Sequence, residues 1–207
     1  MPRPRFYNLS EADRGRLLGV ALKEFESHGF ADASLNRILA AARVSKGAYY
    51  YYFDDKEDLF ATVIEHVLDD ALRHLRMPRL EQLTRATFWP AMAKAVGEWH
   101  ALFDSSRDLR RAARTLDAAR FESPAFARVL GKTRAFWLAI IKAGQRLGCV
   151  RTDLPDALLV GLVEASDHAL DAALSTRKRV TRRAFATHVD LAFDTFKRLL
   201  AAKQEAP

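Results

Sequence analysis

Residues 34–53 read Ser-Leu-Asn-Arg-Ile-Leu-Ala-Ala-Ala-Arg-Val-Ser-Lys-Gly-Ala-Tyr-Tyr-Tyr-Tyr-Phe, and two serines in that stretch decide its fold. Ser34 and Ser45 each precede a helix-favouring run, where a hydroxyl oxygen can accept from the unpaired amides of a first turn. The first run predicts a short helix from Leu35 to about Ala42 that buries Leu35, Ile38 and Leu39. The second predicts a helix over residues 46–52, after a turn at Arg43-Val44. Four of the five tyrosines follow one another at 49–52, and no helix buries four successive side chains. Tyr49 and Phe53 share a face and pack inward, which leaves Tyr50 and Tyr51 outward with free phenolic hydroxyls. Lys46, Gly47 and Ala48 sit at the amino end, where small side chains and free amides let a polyanion approach. Two readings fit this geometry. One is a helical hairpin with an aromatic core patch; the other is a helix-turn-helix whose second helix enters a DNA major groove.

Outward from the motif, almost every long segment has helical period. Upstream, Ser10 caps a helix running to His28, with Asp13 as reciprocal acid, Leu17, Leu18, Ala21, Leu22 and Phe25 on one face, and Gly29 as a left-handed stop. Downstream, Asp55 caps a long helix whose apolar stripe runs from Leu59 to about Leu75, until Met77-Pro78 breaks it. Further helices are expected near residues 80–103, 107–120, 124–147, 155–174 and 182–202. Their separators include Ser123-Pro124, Gly148 and a Thr181 cap. The expected fold is all-α, with about nine helices and no strand. A three-helix head over residues 1–56 holds the motif at 34–53, and residues 57–207 form a larger C-terminal bundle.

Composition narrows the class. The 207 residues carry 33 Lys+Arg against 26 Asp+Glu, a net charge of +7 that suits an anionic partner. The charge is not concentrated in the head, where residues 1–56 hold nine basic and seven acidic side chains. Low Gly and Pro content excludes a disordered polymer. A single cysteine, Cys149, allows neither an internal disulfide nor a cysteine zinc site, and reads as a small apolar side chain. The longest apolar runs, 135–141 and 157–163, fall far short of the roughly 20 residues that span a bilayer, so no membrane partner is expected. The basic start at Arg3 and Arg5 lacks an apolar signal core, and a cytoplasmic protein is expected.

The run from Ser34 to Phe53, followed by Asp54-Asp55-Lys56-Glu57-Asp58-Leu59, closely resembles the DNA-binding module of the TetR family of transcriptional regulators. Capping serine, turn, Val-Ser-Lys-Gly, Tyr-Tyr-x-Phe and Lys-Glu-x-Leu fall in register. The resemblance is strong over about Ser10 to His66; beyond it, the chain agrees in length and helical character. Two positions depart from the pattern: Arg43 replaces a turn Gly, and Tyr49 replaces an aliphatic residue. Arg43 implies either backbone strain or an added phosphate contact. The resemblance implies that Ser34, Ser45, Tyr50, Tyr51 and Lys56 hold phosphates, while Lys46, Gly47 and Ala48 lie nearest the base edges, joined by Arg37 and Tyr52. The arm bearing Arg3 and Arg5 is either a minor-groove contact or a solvated tail.

In the C-terminal bundle, Phe88, Trp89, Trp99, Phe103, Phe126 and Trp137 either pack as core or line an apolar pocket beside His100. The resemblance favours a pocket for a small-molecule effector. Gln145, Glu164 and His168 are further polar groups able to orient such a ligand. His66, Asp70 and His74, and likewise Glu164, His168 and Asp171, recur at ligand-like spacing, but such rows are ordinarily salt-bridged surfaces, and neither a metal nor another cofactor is expected. No catalytic nucleophile motif occurs. The last two helices carry broad apolar stripes with small residues at Gly161, Ala165, Ala169 and Ala172, which suits either a homodimer interface or packing within one subunit. The basic cluster Arg177-Lys178-Arg179 with Arg182-Arg183 reads as a solvated loop.

Two functions follow from these expectations. The first is a homodimeric, ligand-responsive regulator, a repressor, whose two heads read a near-palindromic double-stranded operator. The second is a helical small-molecule-binding protein or enzyme whose head is not used on DNA. The intact Ser-Lys-Gly and Tyr-Tyr row separates them, since a pure binder does not need it.

Overall fold

The serine caps form where the sequence puts them. In the computed structural model, which describes residues 2–115, 124–175 and 182–202, the Ser10 hydroxyl accepts from the Asp13 amide at 3.1 Å and donates to that residue's carboxylate at 2.7 Å. It opens α1 (Glu11–Asp32). Gly29 breaks this helix at φ 70°, and a further turn continues to Asp32. Ser34 Oγ accepts from the Arg37 amide at 3.3 Å and opens α2 (Leu35–Ala42); Ser45 Oγ accepts from the Ala48 amide at 3.1 Å and opens α3 (Lys46–Tyr52). Asp55 caps α4 (Lys56–His74) through the Asp58 amide at 2.8 Å.

The remaining helices are α5 (Arg85–Ser105), α6 (Arg107–Thr115), α7 (Ala127–Arg146), α8 (Asp156–Ser175) and α9 (Arg182–Leu200). The described residues thus contain nine α-helices and no β-strand, apart from an isolated antiparallel bridge between Val150 and Ala201. None of the helices searched among them is long and apolar enough to cross a membrane. The helix expected to begin near residue 80 starts later. A 3-10 turn at Leu80–Gln82 ends at Leu83, and Thr84 then caps α5 in a reciprocal pair with Thr87, amide to hydroxyl at 2.9 and 3.3 Å. Likewise Pro124–Phe126 forms a 3-10 turn before α7. The far end of the helix expected over 107–120 and the Thr181 cap lie outside the described residues.

Two compact units result, divided after His74, Ala101 and Gly131. The first combines α1–α4 with α6 and the Pro124–Phe126 turn. Its core joins Leu17, Leu22 and Phe25 of α1 to Ile38, Tyr49, Phe53, Leu59, Phe60 and Ile64. Phe60 meets Phe25 edge-on at 4.7 Å and Phe126 at 5.6 Å. Arg111 of α6 pairs with Glu26 of α1 at 2.5 Å, and Arg128 pairs with Glu65 of α4. This unit therefore runs across the 1–56 and 57–207 division expected from sequence, because α4 and α6 bury their apolar faces against α1.

The second unit holds most of α5 and α7, with α8 and α9, around Phe88, Met92, Ile141, Val150, Leu159, Val163 and Phe196. Gly148 ends α7 at φ 65°, as a left-handed stop should. Gly144 is fixed by space: a Cβ there would lie 2.3 Å from Val150 Cγ2 and 2.7 Å from Phe88 Cζ. The Cys149 thiol is buried with its Sγ 3.5 Å from the Arg85 carbonyl, and burial pushes its pKa up.

Candidate nucleic-acid interface

The second helix of the motif presents one face to the core and one to solvent. Tyr49 and Phe53 are fully buried, whereas Tyr50 and Tyr51 remain 46% and 45% exposed, as their one-residue offsets on a 3.6-residue period require. Ser45, Lys46 and Gly47 are also exposed, with Ala48 half-buried beside them. Among the described residues Lys46 makes no ion pair, and a Cβ built on Gly47 meets no atom within 4 Å. The amino end of α3 therefore offers an open cation, an open backbone and a polar hydroxyl on one surface. Tyr52 is half-buried, its ring 5.8 Å from that of Tyr51.

The turn that sets this helix has Arg43 in the left-handed region, φ 57° and ψ 42°, the only non-glycine residue with positive φ in the described chain. This is the left-handed conformation on which the strain alternative depends. Its amide and the next both return to α2: Arg43 N donates to the Ala40 carbonyl at 3.2 Å and Val44 N to the Leu39 carbonyl at 3.0 Å. From α1, Arg16 Nε donates to the Ala42 carbonyl at 3.2 Å, closing the same helix end.

Two residues expected to contact DNA are engaged within the head. Arg37 places Nε and Nη2 2.8 and 2.5 Å from Glu24 Oε1 and reaches the Asp32 carbonyl at 3.2 Å. Glu24 also accepts from the Ser34 amide at 2.9 Å. The Arg37 guanidinium holds the Glu24 carboxyl below its ordinary range. Lys56 Nζ donates to the carbonyls of Ala31 and Ala33 at 3.0 and 3.1 Å and lies 4.6 Å from the Phe30 ring centre. Arg37 thereby ties α1 to α2 of the motif, and Lys56 ties the start of α4 to the end of α1 and to Ala33 just beyond it.

The arm docks on the head and is not a solvated tail. Residues Pro4–Asn8 form a 3-10 turn with Phe6 buried against Phe53, ring centres 5.0 Å apart. The Arg3 amide donates to the Tyr52 carbonyl at 2.7 Å, and its guanidinium meets Asp54 Oδ1 at 2.7 Å. No periodic pattern marks so short a segment; the apolar pair Phe6-Tyr7 was its one signal.

In the second unit, Phe88 is buried, and Trp89 and Trp137 pack half-buried against its core. Trp89 meets Phe88 at 5.0 Å and Phe193 at 6.3 Å; Trp137 meets Phe196 at 5.7 Å. Trp99 is half-buried, and His100 is buried with Nδ1 2.8 Å from the Val96 carbonyl. Phe126 belongs instead to the core of the first unit, and the Phe103 side chain lies outside the described residues. Gln145 is committed to a turn, donating to the Arg151 carbonyl and to Asp156 Oδ1 at 3.2 and 3.0 Å. Lys142 completes this cluster and, with Gln145, holds the Asp156 carboxyl below its ordinary range. His74 Nδ1 sits 2.7 Å from the Asp70 carbonyl of its own helix. Among the described residues no three His, Cys, Asp or Glu groups gather as a metal site. The side chains of His168 and Asp171, and those of the basic cluster at 177–183, lie outside them.

Comparison with known proteins places the first unit in context. Residues 17–63 match the family model described as bacterial regulatory proteins, tetR family. Over 60 residues the chain is 42% identical to the HTH-type transcriptional repressor SCO4008 of Streptomyces coelicolor, which covers 29% of this chain and 31% of that protein. It is 41% identical over 56 residues to the HTH-type transcriptional regulator AcrR of Shigella flexneri, covering 27% and 26%. The chain thus aligns with less than a third of the length of either relative. The fold extends further: the repressor SmeT of the Stenotrophomonas maltophilia multidrug efflux pump SmeDEF superposes with a TM-score of 0.68 over 92% of this chain and 91% of that one, at 18% identity.

Proposed function

We propose that this chain, a member of the tetR family by its N-terminal domain, is a sequence-specific DNA-binding transcriptional regulator and acts as a repressor. Its family and relatives are regulators rather than enzymes. The observation that carries the reading is the outer face of α3. Ser45, Lys46, Gly47, Tyr50 and Tyr51 are exposed there together, whereas Tyr49 and Phe53 bury the opposite side of the helix in the core. Hydroxyls, a lysine and helix-terminal amides are the usual phosphate donors, and a small amino end admits base edges.

The regulator works as a homodimer through α8 and α9, so that two heads meet successive major grooves of a near-palindromic operator. Exposed Leu158 on α8 and Leu191 on α9, at 48% and 53%, support this interface. A small, largely apolar effector releases the operator, held within the second unit near Trp89, Trp99, His100 and Trp137. It does so only by binding the form whose head spacing does not suit DNA, since equal affinity for both forms shifts nothing. The reading that the head is unused on DNA predicts no effect from its outer face.

The test is a paired variant, Lys46→Ala with Tyr50→Phe, measured by fluorescence anisotropy on an operator duplex selected by the wild-type protein. Both residues are exposed, so helicity and dimerisation should be retained. Operator affinity should fall and the salt slope should flatten by about one unit per lost phosphate contact. Unchanged affinity would remove these residues from the reader.

A further inference from the structure

The Tyr51 ring carries a cation. The Arg5 guanidinium carbon lies 4.0 Å from the Tyr51 ring centre, and both residues are exposed. Among the described residues Arg5 makes no ion pair with an acid. Its position is not incidental, because four contacts independent of Arg5 fix the turn that bears it. Phe6 is buried against Phe53 and approaches Tyr52 edge-on at 6.4 Å. The Arg3 amide reaches the Tyr52 carbonyl, and the Arg3 guanidinium reaches Asp54 from Nε and Nη2 at 3.1 and 2.7 Å. Arg3 is thus the anchor of the arm, and Arg5 is the charge it delivers.

A guanidinium held over a ring through a cation–π contact still has N–H donors left for a planar or tetrahedral anion. We propose that Arg5, held over the Tyr51 ring, is a phosphate-binding residue of the DNA face, and that its donors and the Tyr51 hydroxyl clamp one phosphodiester beside the groove entered by α3. This inference rests on the DNA-binding reading above. It differs from a minor-groove arm, because the docked turn holds Arg5 on the recognition helix itself. A phosphate contact carries no base preference, so Arg5 should raise affinity for every duplex alike.

The experiment is a salt titration of Arg5→Ala, Arg5→Lys and Tyr51→Phe on the selected operator and on an unrelated duplex, with thermal melting alongside. One phosphate contact contributes about 0.9 to the slope of log K against log salt, which amounts to about fivefold in affinity at 0.15 M. Arg5→Ala should lose about that factor on both duplexes and flatten the slope by about 0.9, with melting unchanged. Arg5→Lys should keep the slope. The losses of Arg5→Ala and Tyr51→Phe should not add in the double variant, since one clamp is broken in each. Phe6→Ala, which frees the turn, should reproduce the DNA defect while also lowering stability. If the wild type binds the operator and Arg5→Ala matches it in affinity and slope, Arg5 is only cover for the Tyr51 ring and the proposal fails. If the wild type binds no duplex, the DNA-binding reading fails first and takes this one with it.

Discussion

Replacing Arg43 by glycine separates two effects that share one residue. The backbone at φ 57° and ψ 42° costs a residue with a Cβ about 1–2 kcal/mol. Glycine removes that cost but adds about 0.5–1 kcal/mol of unfolded-chain entropy. The net expectation is stabilisation of the head by about 0–1.5 kcal/mol. Arg43→Ala keeps the Cβ and the strain while removing the charge, so it should unfold at the wild-type urea midpoint. The order glycine above arginine and alanine, read in urea denaturation, is therefore the signature of strain. The exposed guanidinium makes no ion pair among the described residues, and its contribution to DNA is read separately. If it meets a phosphate, both variants lose about fivefold in affinity at 0.15 M salt and about 0.9 of slope. A glycine variant no more stable than the alanine variant would refute the strain argument.

Three further outcomes follow from particular contacts. Tyr49 buries a hydroxyl that meets no hydrogen-bond partner among the described residues, so Tyr49→Phe should raise stability by about 1–3 kcal/mol in thermal melting and leave DNA binding intact; a loss of stability would mean the hydroxyl is satisfied. Glu24, with an ordinary pKa of 4.5, is held lower by Arg37, so its clasp is fully present above that value and is lost as pH falls through the folded pKa. Glu24→Gln should accordingly flatten the acid limb of a stability-against-pH curve, and an unchanged limb would place the acid sensitivity elsewhere. Gly144→Ala forces a methyl against Val150 and Phe88 and should destabilise the second unit by about 1–3 kcal/mol, whereas a neutral result would show that the Val150 turn yields.

What the sequence made readable was local or periodic. The caps at Ser10, Ser34, Ser45 and Asp55 depend on the next three residues alone, and all four form. The inward and outward tyrosines follow from helical period. Roles that depend on what faces a side chain from another helix were not readable. Arg37 and Lys56 look like free cations until α1 presents Glu24 and the carbonyls of Ala31 and Ala33. Phe6 docks through tertiary packing in a segment too short to show a period. The reciprocal Thr84–Thr87 cap is likewise three residues apart, but Leu80-Glu81-Gln82-Leu83 also suits a helical turn and hides the later start.

The central claim is that the outer face of α3 reads DNA sequence. Its most direct test is selection of bound duplexes from a randomised library by the wild-type protein, followed by anisotropy of the enriched duplex in about 0.15 M salt against excess competitor. The account predicts enrichment of a near-palindrome whose half-sites lie about one helical turn or a multiple of it apart, bound saturably in the presence of competitor. Repeated rounds that enrich no sequence, with binding abolished by competitor, would contradict it.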